Sequence, residues 1–275
     1  MKIFTIFLFA WVSCWIHPVL AQKSEIGFWG GSATYFGDLN TNTSFRLSQP
    51  ASGLFYRWNF DSRLSARASL GAGSVSGNDR FADNYYQQQR NLSFSSRIFE
   101  ASVQGEFNFM DYKSAKKRYN FSPYLCGGFG IFSFDPVAIY QGNKYRLQPL
   151  GTEGQGLPEY PDRKPYKLVS REWIIGGGFK YRYSKNLSFF LEAAERRTHT
   201  DYLDDVSGQY ANRIVMENET GPLVTALADR SVEVAGVPMG TTDKMRGDSH
   251  RKDNYLFISL GITVTINRYH CPFPM

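Results

Sequence analysis

Cysteine is scarce in this chain, and its scarcity excludes two common ways of holding a fold together. The 275 residues include three cysteines, Cys14, Cys126 and Cys271. A disulfide scaffold needs several pairs, and a four-thiolate zinc site needs four ligands. We expect no bridge between Cys126 and Cys271, so other interactions must stabilise the fold.

Proline is also sparse, and neither sign of charge dominates. The chain has 12 prolines against 25 glycines, 31 basic against 25 acidic residues, and 42% apolar residues. This composition excludes disordered, collagen-like and coiled-coil classes. The small basic excess is distributed among acidic neighbours instead of forming one run, and it therefore does not favour nucleic-acid binding.

Long apolar runs are confined to the start of the sequence. Lys2, the apolar stretch 3–12 and Ala21 before Gln22 are typical of a secretory signal peptide, which predicts a signal over 1–21 and one domain over 22–275. After residue 21, no stretch approaches the roughly 18 to 20 apolar residues of a membrane-spanning helix. Aromatic residues are nevertheless plentiful, and a membrane β-barrel is compatible with both observations.

Alternation of apolar and polar residues with a period of two is the main signal in the rest of the chain. The clearest case places Phe99, Val103 and Phe107 on one face and Glu100 and Gln104 on the other. Helical spacing would mix these two sets. Similar patterns predict eight strands, at about 25–36, 51–60, 64–73, 99–109, 121–134, 172–182, 187–197 and 256–267.

The links between these strands alternate strictly between short and long. Short turns lie at 61–63, 110–120 and 184–186, and the long links run over 37–50, 76–91, 135–171 and 198–253. Short periplasmic turns and long extracellular loops are typical of outer-membrane barrels. The pattern predicts an all-β fold, an eight-stranded antiparallel transmembrane β-barrel in the cell outer membrane of a Gram-negative bacterium, with both termini periplasmic. A soluble barrel of the lipocalin kind is the alternative.

The polar face of such a barrel points into a narrow lumen that side chains fill. Inward glycines such as Gly71 and Gly73 would relieve crowding there. We expect the charged residues of this face to pair with one another in a structural network that replaces an apolar core, and not to form a transport path. They are Arg67, Glu100, Glu106, Lys180, Arg182, Glu192 and Arg196.

Two groups of loop residues have the composition of chemical sites without the usual spacing. Asp201, Asp204 and Asp205 offer oxygen ligands for calcium, but the segment lacks the glycine turn and terminal Glu of a calcium loop. His199 and His250 could belong to a hydrolase or an acyltransferase, but sequence neighbours rarely converge on one reacting atom. We therefore expect solvated loop side chains, with no catalytic residue, no metal and no cofactor.

Two further segments are candidates for partner contact. The run 147–156 has three glycines but no helix behind it, which excludes a nucleotide-binding loop and predicts a defined turn that folds over the barrel mouth or presents its backbone to a partner. The basic turn of Lys113, Lys116, Lys117 and Arg118 faces the periplasm in the predicted topology. It is either a solvated rim near lipid headgroups or a docking surface for a periplasmic protein.

Several separate stretches resemble one family of outer-membrane proteins. They are 34–40 (TYFGDLN), 50–57 (PASGLFYR), 90–94 (RNLSF), 147–156 (LQPLGTEGQG), 200–207 (TDYLDDVS), 227–230 (LADR) and 271–274 (CPFP). Together they are similar to PorG-like barrels of the type IX secretion system, over essentially the whole mature chain. The candidate loop residues in these stretches are Leu150, Gly151, Thr152, Glu153, Gly154, Gln155, Gly156, Asp201, Tyr202, Asp204, Asp205, Asp229 and Arg230.

The resemblance implies a non-enzymatic barrel that ties the periplasmic ring of that secretion machine to the outer membrane. The implied partners are the periplasmic ring proteins and outer-membrane lipid, without nucleic acid or a small-molecule substrate. Two alternatives stay open at this point. One is an outer-membrane barrel enzyme, a hydrolase or acyltransferase, and the other is a surface adhesin that uses the long loops.

Overall fold

The structure, a computed structural model, describes residues 23–112 and 119–266. The predicted signal segment, the basic turn of Lys113, Lys116, Lys117 and Arg118, and Cys271 lie outside the described residues. The strands are β1 Lys23–Phe36, β2 Gln49–Asn59, β3 Leu64–Asn78, β4 Ser93–Asn108, β5 Phe121–Tyr140, β6 Asn143–Arg146, β7 Val169–Arg182, β8 Leu187–Thr198 and β9 Asn254–Ile266.

Eight of these described strands close into an antiparallel barrel. Sequential strands pair with one another, and the first strand also pairs with the last, with Glu25 beside Arg57 of β2 on one side and beside Thr265 of β9 on the other. The pairing of β4 with β5 completes the ring, and β6 is a short hairpin partner of β5 only. The predicted eight-stranded antiparallel barrel is confirmed.

The short and long links lie at opposite rims, as the sequence predicts. The first residues of β1 pair with the last residues of β9, at the same rim as the turns 60–63 and 183–186. The long loops 37–48, 79–92, 141–168 and 199–253 lie at the other rim. No helix in the described part of the chain is long and apolar enough to cross a membrane.

The middle of the barrel has an apolar outer wall. The side chains of Leu70, Phe129 and Leu260 are 66%, 61% and 63% exposed. Many other outward positions are likewise apolar and exposed, among them Ile26, Phe28, Leu54, Phe99, Val103, Leu125, Ile131, Trp173, Ile175, Leu191 and Ile262. We call this surface the apolar belt.

Toward the long loops the polarity of the two faces is exchanged, so that the outward residues are polar and the inward residues are apolar. On β4 the outward residues become Arg97 and Ser95, while Phe94 and Ile98 turn inward and are buried. Phe134 is likewise buried near the loop end of β5. This inversion explains why the predicted strands were too short: β4 begins at Ser93 instead of 99, and β5 ends at Tyr140 instead of 134. The predicted strands were defined by one apolar face, and they therefore end where the outward residues become polar although the strand continues.

The described loops contain four short α-helices, α1 Tyr85–Arg90, α2 Arg213–Thr220, α3 Pro222–Ala228 and α4 Val232–Ala235, and two 3-10 turns, Asp79–Phe81 and Gln148–Leu150. Asn84 caps α1 by accepting the Tyr86 N–H at 2.9 Å, and Asn212 caps α2 by accepting the Ile214 N–H at 2.9 Å. An asparagine side chain at this position satisfies a backbone donor that the helix leaves free. The long loops therefore have defined structure of their own.

Candidate functional site

The lumen next to the short turns is organised around Glu106 of β4. Its carboxylate pairs with the Nε atoms of Arg57 and Arg67 at 2.8 and 3.2 Å and with Lys180 Nζ at 2.5 Å. The Ser65 hydroxyl donates to the same carboxylate at 3.1 Å. Buried charges are tolerated where they are paired and hydrogen-bonded, and three cations around one carboxylate require further anions nearby.

Two other glutamates supply those anions. Glu25 pairs with Arg57 Nη1 at 2.8 Å, and Glu192 pairs with Arg67 Nη2 at 2.8 Å. Glu192 also accepts the Tyr124 hydroxyl at 2.6 Å. The paired side chains therefore bridge the lumen from β1 to β8 and fill it.

A second charged group lies nearer the loops. Glu100 pairs with Arg196 at 3.0 Å, and the Tyr255 hydroxyl donates to Glu172 at 2.5 Å and to Glu100 at 3.2 Å. Arg196 also lies over the ring of Phe257, 4.2 Å from its centroid. This group connects the ion pairs to the aromatic core under the loops.

The structure encloses all but one of the charges that the sequence placed in the lumen. Arg67, Glu100, Glu106, Lys180, Glu192 and Arg196 are buried there. Arg182 is the exception, because it is the last residue of β7, is only half-buried and donates to Asn120 Oδ1 at 3.2 Å. At the rim its side chain reaches the surface, so its assignment to the interior was wrong.

Sequence reasoning missed three interior charges, Glu25, Arg57 and Glu172. Each is almost fully buried on the inward side of its strand. Glu25 and Arg57 belong to β1 and β2, where alternation is weak, and no face was assigned there. Glu172 immediately precedes the outward residue Trp173 on β7, so the two-residue alternation places it on the inward face. Applying that alternation strictly would have added Glu172 to the predicted lumen charges.

The long loops fold into a cap over the barrel mouth, and Arg246 ties two of them together. Its guanidinium pairs with Glu153 at 3.1 Å and donates to the backbone carbonyls of Ala228 and Asp205. Glu153 also accepts the backbone N–H of Ser207 at 2.9 Å. The loop 141–168 and the loop 199–253 therefore share one buried ion pair.

Arg90 joins the two remaining loops to the cap. Its guanidinium makes a two-point contact with Asp79, with both N···O distances at 2.7 Å. It also donates to the backbone carbonyl of Asp38 at 3.0 Å and to that of Arg246. Two-point arginine–carboxylate pairs fix orientation as well as distance. All four long loops are thus connected through two buried arginines.

The run 147–156 takes the first of the two predicted forms, a defined turn over the mouth. Gly151 and Gly154 have φ of +63° and +83°, a conformation that favours glycine. Leu147 is buried in the core under the cap, and Thr152 and Glu153 are almost fully enclosed. Of the remaining candidates in this run, Gln155 is buried, Leu150 is half-buried and Gly156 is exposed.

The three candidate calcium ligands have separate protein partners. Asp201 accepts the Ser207 hydroxyl at 2.6 Å, and Asp204 accepts the Tyr35 hydroxyl at 2.6 Å. Asp205 accepts from Thr152 Oγ1 at 2.5 Å and Tyr166 OH at 2.6 Å. Among the described residues, no group of three or more His, Cys, Asp or Glu side chains is arranged to hold a metal ion. The expectation that these aspartates are solvated was wrong, because all three are buried and accept hydrogen bonds from other cap residues or from Tyr35.

The other candidate loop residues also make contacts within the cap. The Tyr202 ring stacks on the Tyr166 ring with centroids 4.5 Å apart. Asp229 accepts the Ser231 hydroxyl at 2.6 Å, and Arg230 pairs with Glu233 at 2.8 Å. Asp229 and Arg230 therefore hold the N-terminal end of α4 in place.

The two histidines considered for catalysis do not come together with a nucleophile. The backbone N–H of His199 donates to the Arg171 carbonyl at 3.0 Å, and that of His250 to Asp248 Oδ1 at 3.2 Å. Both residues are exposed. An open cleft of about 240 Å³ lies between loops 37–48 and 199–253, lined by Asp38, Asp248 and Arg251 among others, and His250 is not among its lining residues. Within residues 23–112 and 119–266, neither imidazole has a hydrogen bond to a hydroxyl or thiol of the kind that a catalytic triad requires.

Burial raises the pKa of the cap carboxyls. The pKa of Asp201 rises to about 7 and that of Asp205 to about 6, in the second case against the lowering effect of Arg246. The pKa values of Asp204 and Asp253 are held well above their usual range, by burial and by additional carboxylates nearby. The cap therefore takes up protons more readily than the unfolded loops do.

Comparison with known proteins gives a family match and several structural likenesses. A family model described as "Domain of unknown function (DUF6089)" matches residues 2–149. No curated protein sequence matches the chain.

Several solved structures are similar to this chain over most of its length. Neisserial surface protein A is 6% identical with a TM-score of 0.45, covering 88% of this chain and 97% of its own. The attachment invasion locus protein Ail of Yersinia pestis, solved with a heparin analogue, is 10% identical with a TM-score of 0.42, covering 90% and 100%. OprG of Pseudomonas aeruginosa is 9% identical with a TM-score of 0.39, covering 90% and 98%. At these values the likenesses carry no conclusion about function.

The first prediction concerns Glu106. Glu106→Gln leaves the cations of Arg57, Arg67 and Lys180 short of one buried anion, and breaking such a network costs about 3 to 5 kcal/mol. Urea unfolding of the chain in lipid vesicles should show a loss of that size. Glu195→Gln is the matched control, because Glu195 lies on the outer wall in a partly exposed pair with Arg197, and it should change stability by less than about 0.5 kcal/mol. Equal effects of the two variants would contradict the central role of Glu106.

The second prediction concerns pH. A carboxyl whose pKa is raised in the folded state stabilises that state below its ordinary value near 3.8, and this contribution is lost as pH rises through the folded value. Cap stability should therefore fall as pH rises through 6 to 7, the pKa values of Asp205 and Asp201. Hydrogen exchange of peptides from 199–208, corrected for the intrinsic rate, should show more protection at pH 5 than at pH 8.

Asp201→Asn keeps an acceptor for Ser207 but cannot ionise, so it should reduce this pH dependence. Asp243→Asn, on an exposed residue of the same loop, should leave it unchanged. Protection that rises from pH 5 to pH 8 would show that these carboxyls are charged and stabilised in the cap.

Proposed function

The chain belongs to the DUF6089 family, and we propose that it is a non-enzymatic outer-membrane barrel that anchors or assembles the periplasmic ring of the type IX secretion system. In this proposal the apolar belt lies in the hydrocarbon of the outer membrane. The short turns and both termini face the periplasm, and the cap lies outside the cell.

The observation that carries the proposal is the filled lumen inside an apolar wall. Leu70, Phe129 and Leu260 are each more than half exposed, and a continuous apolar surface of this extent is unfavourable in water. The ion pairs around Glu106 occupy the interior, and the cap covers the mouth. A narrow barrel closed in this way suits an anchor better than a channel.

The described residues also offer little for catalysis. The buried aspartates of the segment 201–205 are engaged with protein donors, as in the pairs of Asp204 with Tyr35 and of Asp205 with Tyr166. The choice of the type IX secretion system depends on the stretches that resemble PorG-like barrels, including 34–40, 147–156 and 200–207. In this proposal the partner surface is the periplasmic rim, where the basic turn of Lys113, Lys116, Lys117 and Arg118 supplies positive charge.

The third prediction is that the tagged full-length chain, purified from outer membranes of its own organism, carries the periplasmic ring proteins with it. Deleting the gene should stop secretion by this route. Reversing the charges of the basic turn, with Lys113, Lys116, Lys117 and Arg118 all changed to Glu, should reduce ring recovery while the chain still fractionates with the outer membrane. Equal ring recovery with the charge-reversed turn would show that this turn does not bind the ring. Normal secretion after deletion of the gene would contradict the proposed role.

A surface adhesin is the second candidate, and the ordered cap favours it. Four loops tied by Arg90 and Arg246 present a fixed surface on which Ile214, Val234 and Val237 are exposed. Exposed apolar side chains on a rigid surface are typical of protein contact sites.

The fourth prediction separates these two candidates. Replacing 208–247 by a short linker removes α2, α3 and α4 but leaves all eight barrel strands. If the chain is a secretion anchor, ring recovery should persist in this variant. Loss of cell or matrix attachment with normal secretion would favour the adhesin.

A further inference from the structure

The outer wall carries arginines at the first or second outward position beyond the apolar belt. Both β4 and β7 begin at the long-loop rim, and on each strand an outward arginine lies two residues before an outward aromatic residue: Arg97 before Phe99, and Arg171 before Trp173. On β8 Arg197 occupies the equivalent region. We call these three residues, Arg97, Arg171 and Arg197, the arginine rim.

The outward positions of β1, β2 and β3 carry no arginine. The outward residues beyond the belt on β1, β2 and β3 are Ser32, Ser52 and Ser74, which carry hydroxyls and no charge. The arginine rim therefore belongs to the part of the wall formed by β4, β5, β7 and β8, with β5 between β4 and β7.

The strand register places two of these arginines beside each other. Arg197 lies directly opposite Trp173, so Arg171 is its diagonal neighbour on the adjacent strand. Diagonal neighbours have Cβ atoms about 7 to 8 Å apart, within reach of two arginine side chains that converge on one anion. The residues directly opposite these arginines are not acidic: His199 lies opposite Arg171, and Asn254 of β9 lies opposite Arg197. No acidic side chain therefore lies between Arg171 and Arg197.

The acids nearby neutralise only part of this charge. Glu195 pairs with Arg197 at 3.2 Å. Asp135 of β5 lies directly opposite Arg97 in the strand register, but its ion pair is with Arg146, at 2.9 Å. Within residues 23–112 and 119–266, neither Arg97 nor Arg171 has an ion-pair partner, and both are exposed.

We propose that the arginine rim binds the phosphate groups of anionic lipid headgroups in the leaflet that faces the cap. This inference rests on the proposed insertion of the apolar belt into a bilayer. Guanidinium groups match phosphate oxygens in a two-point geometry, and cations just above the hydrocarbon lie at headgroup depth. Phe99 and Trp173 supply the adjoining surface for acyl chains. A convex outer wall offers no enclosure for a free ion, and it is therefore a lipid that the geometry fits.

The fifth prediction uses native mass spectrometry of the full chain in a neutral maltoside detergent. The wild type should retain more phosphatidic acid than phosphatidylcholine. The triple variant Arg97→Gln, Arg171→Gln, Arg197→Gln should lose this preference, with phosphatidic acid binding weaker by at least about tenfold, because each cation near an anionic surface adds to the attraction. The control variant Arg80→Gln, Lys164→Gln, Arg213→Gln removes the same charge from exposed loop positions and should bind like the wild type.

Three outcomes would overturn the inference. The first is unchanged phosphatidic acid binding by the arginine-rim variant, and the second is equal loss in the loop control. The third is displacement of phosphatidic acid by glycerol phosphate at equal concentration, which would indicate a site for the free phosphate group instead of a lipid.

Flotation with phosphatidylcholine vesicles separates this inference from the proposed function. If wild type and arginine-rim variant both float but bind phosphatidic acid equally, only the lipid site is wrong. If the wild type does not insert at all, the membrane anchor and the lipid site are both wrong.

Discussion

The strict two-residue period of the β-strand is the constraint on which this structure depends. One face of each strand must face the lumen and the other the surroundings, and a narrow barrel has little room for water inside. The charges that face inward therefore have to satisfy one another. Glu106, with three cations around it, shows how closely they do so. The exposed apolar residues on the outer wall are the other half of the same arrangement.

The inversion of this pattern toward the long loops divides the molecule into two zones. Around Glu106 the inside is charged and the outside apolar, whereas around Phe94 and Phe134 the inside is apolar and the outside polar. The second zone has the pattern of a water-soluble protein. The apolar core there continues into the loops through Leu39, Leu147 and Leu203, so the cap and the upper barrel share one core.

The sequence predicted the barrel well because periodicity depends only on neighbours in the chain. It identified the outward face of β4 and the inward position of most lumen charges, since each follows from counting residues in steps of two. It missed Glu25 and Arg57 because the alternation is weak in β1 and β2, and it assigned Arg182 to the lumen because periodicity does not reveal where a strand ends.

The cap could not be predicted in the same way, because its contacts join residues distant in sequence. Arg246 meets Glu153 across 93 residues, and Tyr35 meets Asp204 across 169. Such pairs have no local period, and the aspartates around 201–205 could only be read from their composition. The sequence identified the segments that form the cap but not the partners within it.

The most direct test of the barrel and its surroundings is nitroxide scanning of β9 in lipid vesicles, one label at a time from 256 to 264. The account predicts that labels at the even positions collide readily with oxygen dissolved in hydrocarbon and poorly with a water-soluble nickel chelate, while labels at the odd positions are immobilised and reach neither. Ready collision of the even-position labels with the nickel chelate, or a profile without a period of two, would contradict it.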